Sequence, residues 1–252
     1  MTARPPLLLL TDPADSGSDA ALLTERLSKR LAPDGVEVLS APVGGEHEAS
    51  LALSAAGHER AVAVPLVLLA AGWDAGRQTP LIRRGPAAEL SIARPFGPHP
   101  AVLRLLEERA DTALAGAPRD GSAIVLVGRG PDEPQANAET AKVARLLWEG
   151  RGFAQVEPAY LSSRPTVDEA VERCRRLGAQ RTVVLPYALF AELPPLEPPA
   201  TLDVRAGSPV GDCEGLADVV LERYAEVLDG DLRTNCDTCF YRPKFSSHSH
   251  GH

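Results

Sequence analysis

The chain repeats itself, and that repeat limits its fold more than any other feature. Gly57-His58-Glu59-Arg60-Ala61-Val62-Ala63-Val64-Pro65 in the first half returns as Gly178-Ala179-Gln180-Arg181-Thr182-Val183-Val184-Leu185-Pro186 in the second. Gly, Arg, Val and Pro keep their places. Apolar residues follow both prolines, Leu66-Val67-Leu68-Leu69 in one half and Tyr187-Ala188-Leu189-Phe190 in the other. Such self-similarity marks two copies of one folding unit.

The flanks agree in order. Leu7 to Leu10 and Ile124 to Val127 read as opening buried strands, followed by helical stretches at Asp19 to Leu31 and Ala136 to Trp148. Second strands are expected at Val36 to Leu39 and Val156 to Tyr160. Each half closes with a short strand, near Ser91 to Ala93 and Leu202 to Val204, and then a helix. The closing helices align Glu108-Arg109 with Glu222-Arg223 and Leu114 with Leu228. Short apolar runs alternating with amphipathic helices specify βαβ units, hence parallel strands with helices on both faces of the sheet. Right-handed crossovers fix the winding. Gly57 and Gly178 sit where a helix should end before a strand. The expected fold is therefore α/β, with two similar tandem domains, 1–115 and 121–230, each a small parallel sheet. Gly116 to Gly121 reads as the linker, and 231–252 as a flexible tail.

With 252 residues, 44% of them hydrophobic, the chain can bury a sizeable core. Its net charge of −8 argues against a nucleic-acid partner, because neutralising phosphates needs clustered Lys and Arg. Positive charge is almost all arginine; the lysines are Lys29, Lys142 and Lys244. That leaves many planar forks suited to carboxylates. Leu7 to Leu10 is too short for a signal peptide, and no run approaches the roughly 20 apolar residues of a membrane span. Four cysteines do not make a disulfide framework in a chain of this size. A reducing, cytoplasmic setting without a membrane partner is expected.

Ligands of parallel sheets bind outside the carboxyl ends of the strands. Chemistry is therefore expected in the loops Thr11 to Ser18, Ala70 to Arg84, Gly128 to Gln135 and Ala191 to Pro199. Arg77, Arg83, Arg84 and Arg129 lie in or beside them, and one or two are expected to bind an anion. His99, between Pro98 and Pro100, either faces this cleft or serves the turn. His47 and His58 read as surface residues. Gly128-Arg129-Gly130 is no dinucleotide fingerprint, since Glu133 stands where the third glycine belongs. It reads as a sharp turn close to a ligand. In the tail, Cys236 and Cys239 supply two thiols, and His248, His250 and His252 three imidazoles. Their spacing matches no standard zinc finger. They either bind a transition metal or are incidental residues of an unstructured end. An iron–sulfur cluster there would need two further thiolates.

Several of these segments together resemble the long CbiX-type sirohydrochlorin chelatases. They are Gly128-Arg129-Gly130-Pro131-Asp132-Glu133-Pro134-Gln135-Ala136-Asn137-Ala138-Glu139, Val143 to Gly152, Val184-Leu185-Pro186-Tyr187-Ala188-Leu189-Phe190 and Asn235 to Arg242. Pro65 to Gly72 and Pro98-His99-Pro100 are similar to two landmarks of the same family. The resemblance implies insertion of Co²⁺ or Fe²⁺, with nickel a further candidate, into sirohydrochlorin for siroheme or cobalamin biosynthesis. The metal is then a substrate, no organic cofactor is expected, and tetrapyrrole-pathway enzymes are candidate partners. Two pyrrole protons must leave, the metal must be held loosely, and the carboxylates of the acidic macrocycle must be gripped, a task suited to Arg77 and Arg129, with His99 beside them.

The family's two histidines are absent. The expected positions read Thr11-Asp12-Pro13 and Gly72-Trp73-Asp74. Either Asp12 and Asp74 form a paired carboxylate site that holds a divalent ion and accepts protons, or both are ordinary turn and loop residues. An unperturbed Asp is a weaker base than His by roughly 2.6 pKa units, about 3.5 kcal/mol. Proximity of two carboxylates, or burial, recovers part of that. The alternative function is a chelatase-like carrier of metal or tetrapyrrole without turnover.

Overall fold

The computed structural model describes residues 4–12, 18–69, 87–130, 134–196, 202–211 and 214–230. The first half runs β1 (Leu7–Thr11), α1 (Ser18–Leu31), β2 (Val38–Pro42), α2 (Glu46–Ala55), β3 (Arg60–Leu66), β4 (Glu89–Ile92) and α3 (Pro100–Leu114). The second repeats it as β5 (Ser122–Gly128), α4 (Pro134–Trp148), β6 (Gln155–Tyr160), α5 (Val167–Arg176), β7 (Arg181–Pro186), β8 (Val204–Ala206) and α6 (Glu214–Leu228). Each half holds a four-stranded parallel sheet, ordered β2-β1-β3-β4 and β6-β5-β7-β8. The α/β reading of two similar sheets is what the chain adopts. Among the described residues no helix is long and apolar enough to cross a membrane.

The central strands are unbroken apolar runs because both of their faces are covered. Leu7 and Leu9 enter a large central core, whereas Leu8 and Leu10 turn to the other face and meet Leu53 of α2. In the second sheet Ile124 and Leu126 enter the same central core. Ala123, Val125 and Val127 pack with Ala170, Val171 and Cys174 of α5. Burial pushes the Cys174 thiol up to about 12. Since the thiolate is the reactive form, Cys174 is expected to resist alkylation at pH 8 until the chain unfolds. Mass spectrometry of native and denatured samples checks this.

Gly57 and Gly178 close α2 and α5 in the left-handed region, at φ +90° and +99°. In both, the residue after the glycine donates back to the helix, His58 N to Leu53 O and Ala179 N to Cys174 O. These are Schellman closures, which a glycine permits without a Cβ clash. The second strand starts later than expected, at Val38, because Gly35 at φ +67° and the bond from Val36 N to Leu31 O first turn the chain out of α1.

The two halves share one core and exchange their closing helices. α3 packs on β7 and β8 of the second sheet, and α6 packs on β3 of the first. Arg109 of α3 donates to Val210 O at 2.5 Å, and Arg223 of α6 donates to Phe96 O at 3.3 Å. The two acceptors are themselves equivalent. Phe96 N bonds Val67 O and Val210 N bonds Ala188 O, one step beyond each aligned Pro-apolar pair. The repeated Glu-Arg of the closing helices thus records a reciprocal clasp between halves.

Candidate functional site

The residues that follow β1 and β5 meet. Leu10 pairs with Pro65 and Val127 with Pro186, so the two registers make Asp12 and Arg129 equivalent positions, each just past its central strand. Arg129 Nη1 donates to Asp12 Oδ2 at 3.1 Å. Their side chains stay 45% and 31% exposed, so the pair is worth at most about 1 kcal/mol and can open for a ligand.

The loop carrying Arg129 is rigid behind it. Arg129 O accepts from Ser162 N at 3.0 Å and from Ser162 Oγ at 2.8 Å, and Leu161 N donates to Gly128 O at 3.1 Å. A Cβ on Gly128 would lie 2.8 Å from Thr140 Oγ1. Gly130 has φ +71°, and a Cβ there would fall 2.5 Å from Tyr160 Cβ. The turn therefore needs glycine for backbone and for space alike. Gly130→Ala is expected to cost about 3 kcal/mol or more, combining left-handed strain with overlap. The urea midpoint of the purified variant checks it.

His99 serves the turn that opens α3, one of the two roles the sequence left open for it. It is the N-cap of α3, with Pro100 in the first turn, and its Nδ1 accepts from Ala101 N at 3.1 Å. Its Nε2 lies 3.2 Å from Glu222 Oε2 on α6, and the side chain is 12% exposed. Both ring nitrogens thus serve protein partners, joining the start of α3 to the exchanged helix. Pro at the first helical position was the visible cue for a cap, although His is not the usual capping residue.

Asp74, Arg77, Arg83 and Arg84 lie outside the described residues, as do Cys236, Cys239, His248, His250 and His252. Among the described residues no three His, Cys, Asp or Glu side chains gather to hold a metal ion. Two neighbouring polar residues that sequence reasoning missed are Glu139 on α4 and Tyr187 just after β7. The Tyr187 hydroxyl is buried without a hydrogen-bond partner among the described residues. Burial, and then the Glu139 charge, push its ionisation upward, so it stays a neutral hydroxyl.

A family model described as CbiX matches residues 123–227. Over 215 residues the chain is 31% identical to the sirohydrochlorin cobaltochelatase of Priestia megaterium, covering 79% of this chain and 70% of that protein. It is 32% identical over 141 residues to the sirohydrochlorin ferrochelatase of the same organism, covering 53% and 52%. The fold matches SirB from Bacillus subtilis with Fe³⁺ at a TM-score of 0.69 and 19% identity, covering 91% of this chain and 98% of that one. It also matches CbiX, described as the terminal enzyme for biosynthesis of siroheme in denitrifying bacteria, at a TM-score of 0.58 and 19% identity, covering 87% and 98%. With four parallel strands in each half, Asp12 and Arg129 in contact at the ends of the central strands, and this kinship over most of its length, the chain belongs to the CbiX-type sirohydrochlorin chelatase family.

Proposed function

We propose that this chain inserts a divalent metal, Co²⁺ or Fe²⁺, into sirohydrochlorin in the cleft between the halves. The observation that carries the reading is the contact of Arg129 with Asp12 at the ends of the central strands, in a chain 31% identical to a cobaltochelatase. Insertion breaks two pyrrole N–H bonds and forms metal–nitrogen bonds, so the protein must supply proton acceptors, a loose metal grip and anchors for the macrocycle's carboxylates. Arg129 exchanges the Asp12 carboxylate for one on the substrate, and the carboxylate so released turns to the metal and to a departing proton. Asp74 is its proposed partner, and Arg77 a second anchor. Local arginines are required because the net charge of −8 repels a polyacid at long range. Cys236, Cys239 and the tail histidines load the metal, and tetrapyrrole-pathway enzymes deliver the macrocycle.

Absorbance-monitored insertion of Co²⁺, Fe²⁺ and Ni²⁺ into sirohydrochlorin tests this. The wild type should exceed the uncatalysed rate, and Asp12→Ala or Asp74→Ala should lower kcat about 100-fold or more. Arg129→Ala should instead act mainly through KM, by about tenfold for a charge-assisted bond of roughly 1.5 kcal/mol. Background rates with every metal would overturn the reading in favour of a carrier. The tail would then bind metal alone, and Cys236→Ser with Cys239→Ser would abolish that binding.

A further inference from the structure

The two halves provide an internal control for each other, and one pair of positions breaks the symmetry. The registers that make Pro65 equivalent to Pro186 make Leu66 equivalent to Tyr187. On the helices, Thr24 Oγ1 donates to Ala20 O and Thr140 Oγ1 to Ala136 O, and the buried Leu27 and Leu31 fall beside Val143 and Leu147. That alignment makes Leu23 equivalent to Glu139. Leu23 and Leu66 are 0% and 1% exposed in the central core. The second half therefore places a carboxylate and a phenol where the first half places two leucines.

The fold itself does not require this exchange. Apolar packing at these positions is demonstrably compatible with the fold, because the first half uses it. A buried hydroxyl without a partner costs stability, and the Tyr187 hydroxyl has no hydrogen-bond partner among the described residues while the residue is 6% exposed. A buried polar group that lacks a partner calls for a functional explanation, and of this pair the Tyr187 hydroxyl is such a group. The location suits that reading. α4 starts after the loop that leaves β5, so its first turns stand at the carboxyl ends of the strands, the cleft side of the sheet. Glu139 lies five residues into α4, about 7.5 Å along its axis. It is partly exposed, unlike Leu23. Tyr187 N bonds Val127 O, which sets the Tyr187 backbone beside the end of β5, where the Gly128-Arg129-Gly130 turn begins.

We infer that Glu139 is a second proton acceptor for metal insertion and that Tyr187 is its positioning residue. This rests on the chelatase reading above. Insertion releases two protons, and Asp12 on the first half is one acceptor in that reading. Glu139 takes the other from the second half's side. A pyrrole N–H bond breaks, its electron pair stays on nitrogen and becomes the donor pair of the metal–nitrogen bond, and the proton moves to a Glu139 oxygen and then to solvent. The Tyr187 hydroxyl, kept neutral by burial, donates to the Glu139 carboxylate once substrate has closed the site. Catalytic hydrogen bonds are often unformed before substrate binds.

The test is steady-state Co²⁺ insertion into sirohydrochlorin by the full chain, with thermal unfolding of every variant in parallel. Glu139→Gln should lower kcat about 100-fold with KM nearly unchanged, and Glu139→Asp should keep part of the activity. Tyr187→Phe should lower kcat about threefold to tenfold, the worth of one hydrogen bond. The double variant Glu139→Leu with Tyr187→Phe, which restores the apolar chemistry of the first half, should melt about 2–4 °C above wild type while losing turnover. Glu139→Gln turning over within twofold of an active wild type would overturn this inference alone. So would a double variant that melts below wild type, since the pair would then be structural. A wild type that fails to insert any metal would overturn the chelatase reading and this inference together.

Discussion

Arg223→Ala is expected to destabilise the protein by about 3–5 kcal/mol, the cost of breaking a buried ion pair from one side. Arg223 is 2% exposed. Its Nη1 donates to Glu226 Oε1 at 2.7 Å and its Nη2 to Phe96 O at 3.3 Å, so it joins α6 to the loop that enters α3. Arg94 holds the same carboxylate through Nε at 3.1 Å and through Nη2 at 2.5 Å. Alanine would leave the Phe96 carbonyl without this donor and Glu226 with one guanidinium fewer. Burial opposes ionisation of Glu226, but the Arg94 hydrogen bond and the Arg223 charge outweigh it and hold the carboxyl below its usual range. A carboxyl lowered on folding stabilises at neutral pH, and the gain disappears as pH falls through its folded pKa. The variant's urea midpoint should therefore fall at pH 7 and converge on wild type in acid. Arg109→Ala, the equivalent change, should cost only about 1–2 kcal/mol, because Arg109 is half-buried and loses one carbonyl contact. Equal losses at the two arginines would show that burial does not distinguish the two clasps.

Much of this architecture was legible because the physics that sets it is local. The apolar runs at Leu7 to Leu10 and Ile124 to Val127, the aligned prolines and the glycines after α2 and α5 each act within a few residues. Strand ends were less legible. Val36 has strand composition, yet it serves the turn out of α1. The exchange of α3 and α6 left its trace in the repeated Glu-Arg, but the acceptors Val210 and Phe96 lie about a hundred residues away. At the site, Asp12 and Arg129 stood out as loop residues at equivalent positions, whereas their direct contact depends on how the halves meet. Glu139 and Tyr187 stayed hidden for a different reason. A tyrosine passes as apolar in a buried run, and one glutamate in an amphipathic helix passes as surface. Only alignment of the two halves shows that both stand on a core face. His99 drew attention as an imidazole in a Pro-rich turn, and its ring caps α3 and meets Glu222.

The exchanged helices carry the second large expectation, that residues 121–230 produced alone will not persist as a native-like monomer. In the whole chain the central-core face of the second sheet is covered in part by α3, through Leu103, Leu105, Leu106, Ala110 and Leu114. The fragment lacks α3. Its own α6 meanwhile loses β3, against which Leu216, Ala217, Val219, Val220 and Tyr224 are now 0–3% exposed. Uncovering four large apolar side chains of α6 costs on the order of 10 kcal/mol at about 1.5–3 kcal/mol each. That is comparable with the entire stability of an ordinary domain, about 5–15 kcal/mol. A remedy is built into the repeat. α6 has the length of α3 and occupies the equivalent place in its half, so the α6 of one fragment can cover the sheet of another. Sedimentation of the fragment at micromolar concentration should therefore show a dimer whose melting temperature rises with concentration. A monomer with a cooperative, concentration-independent transition would show that α6 folds back on its own sheet. The exchange would then depend on the connection through Gly116 to Gly121 rather than on the fit of the helix.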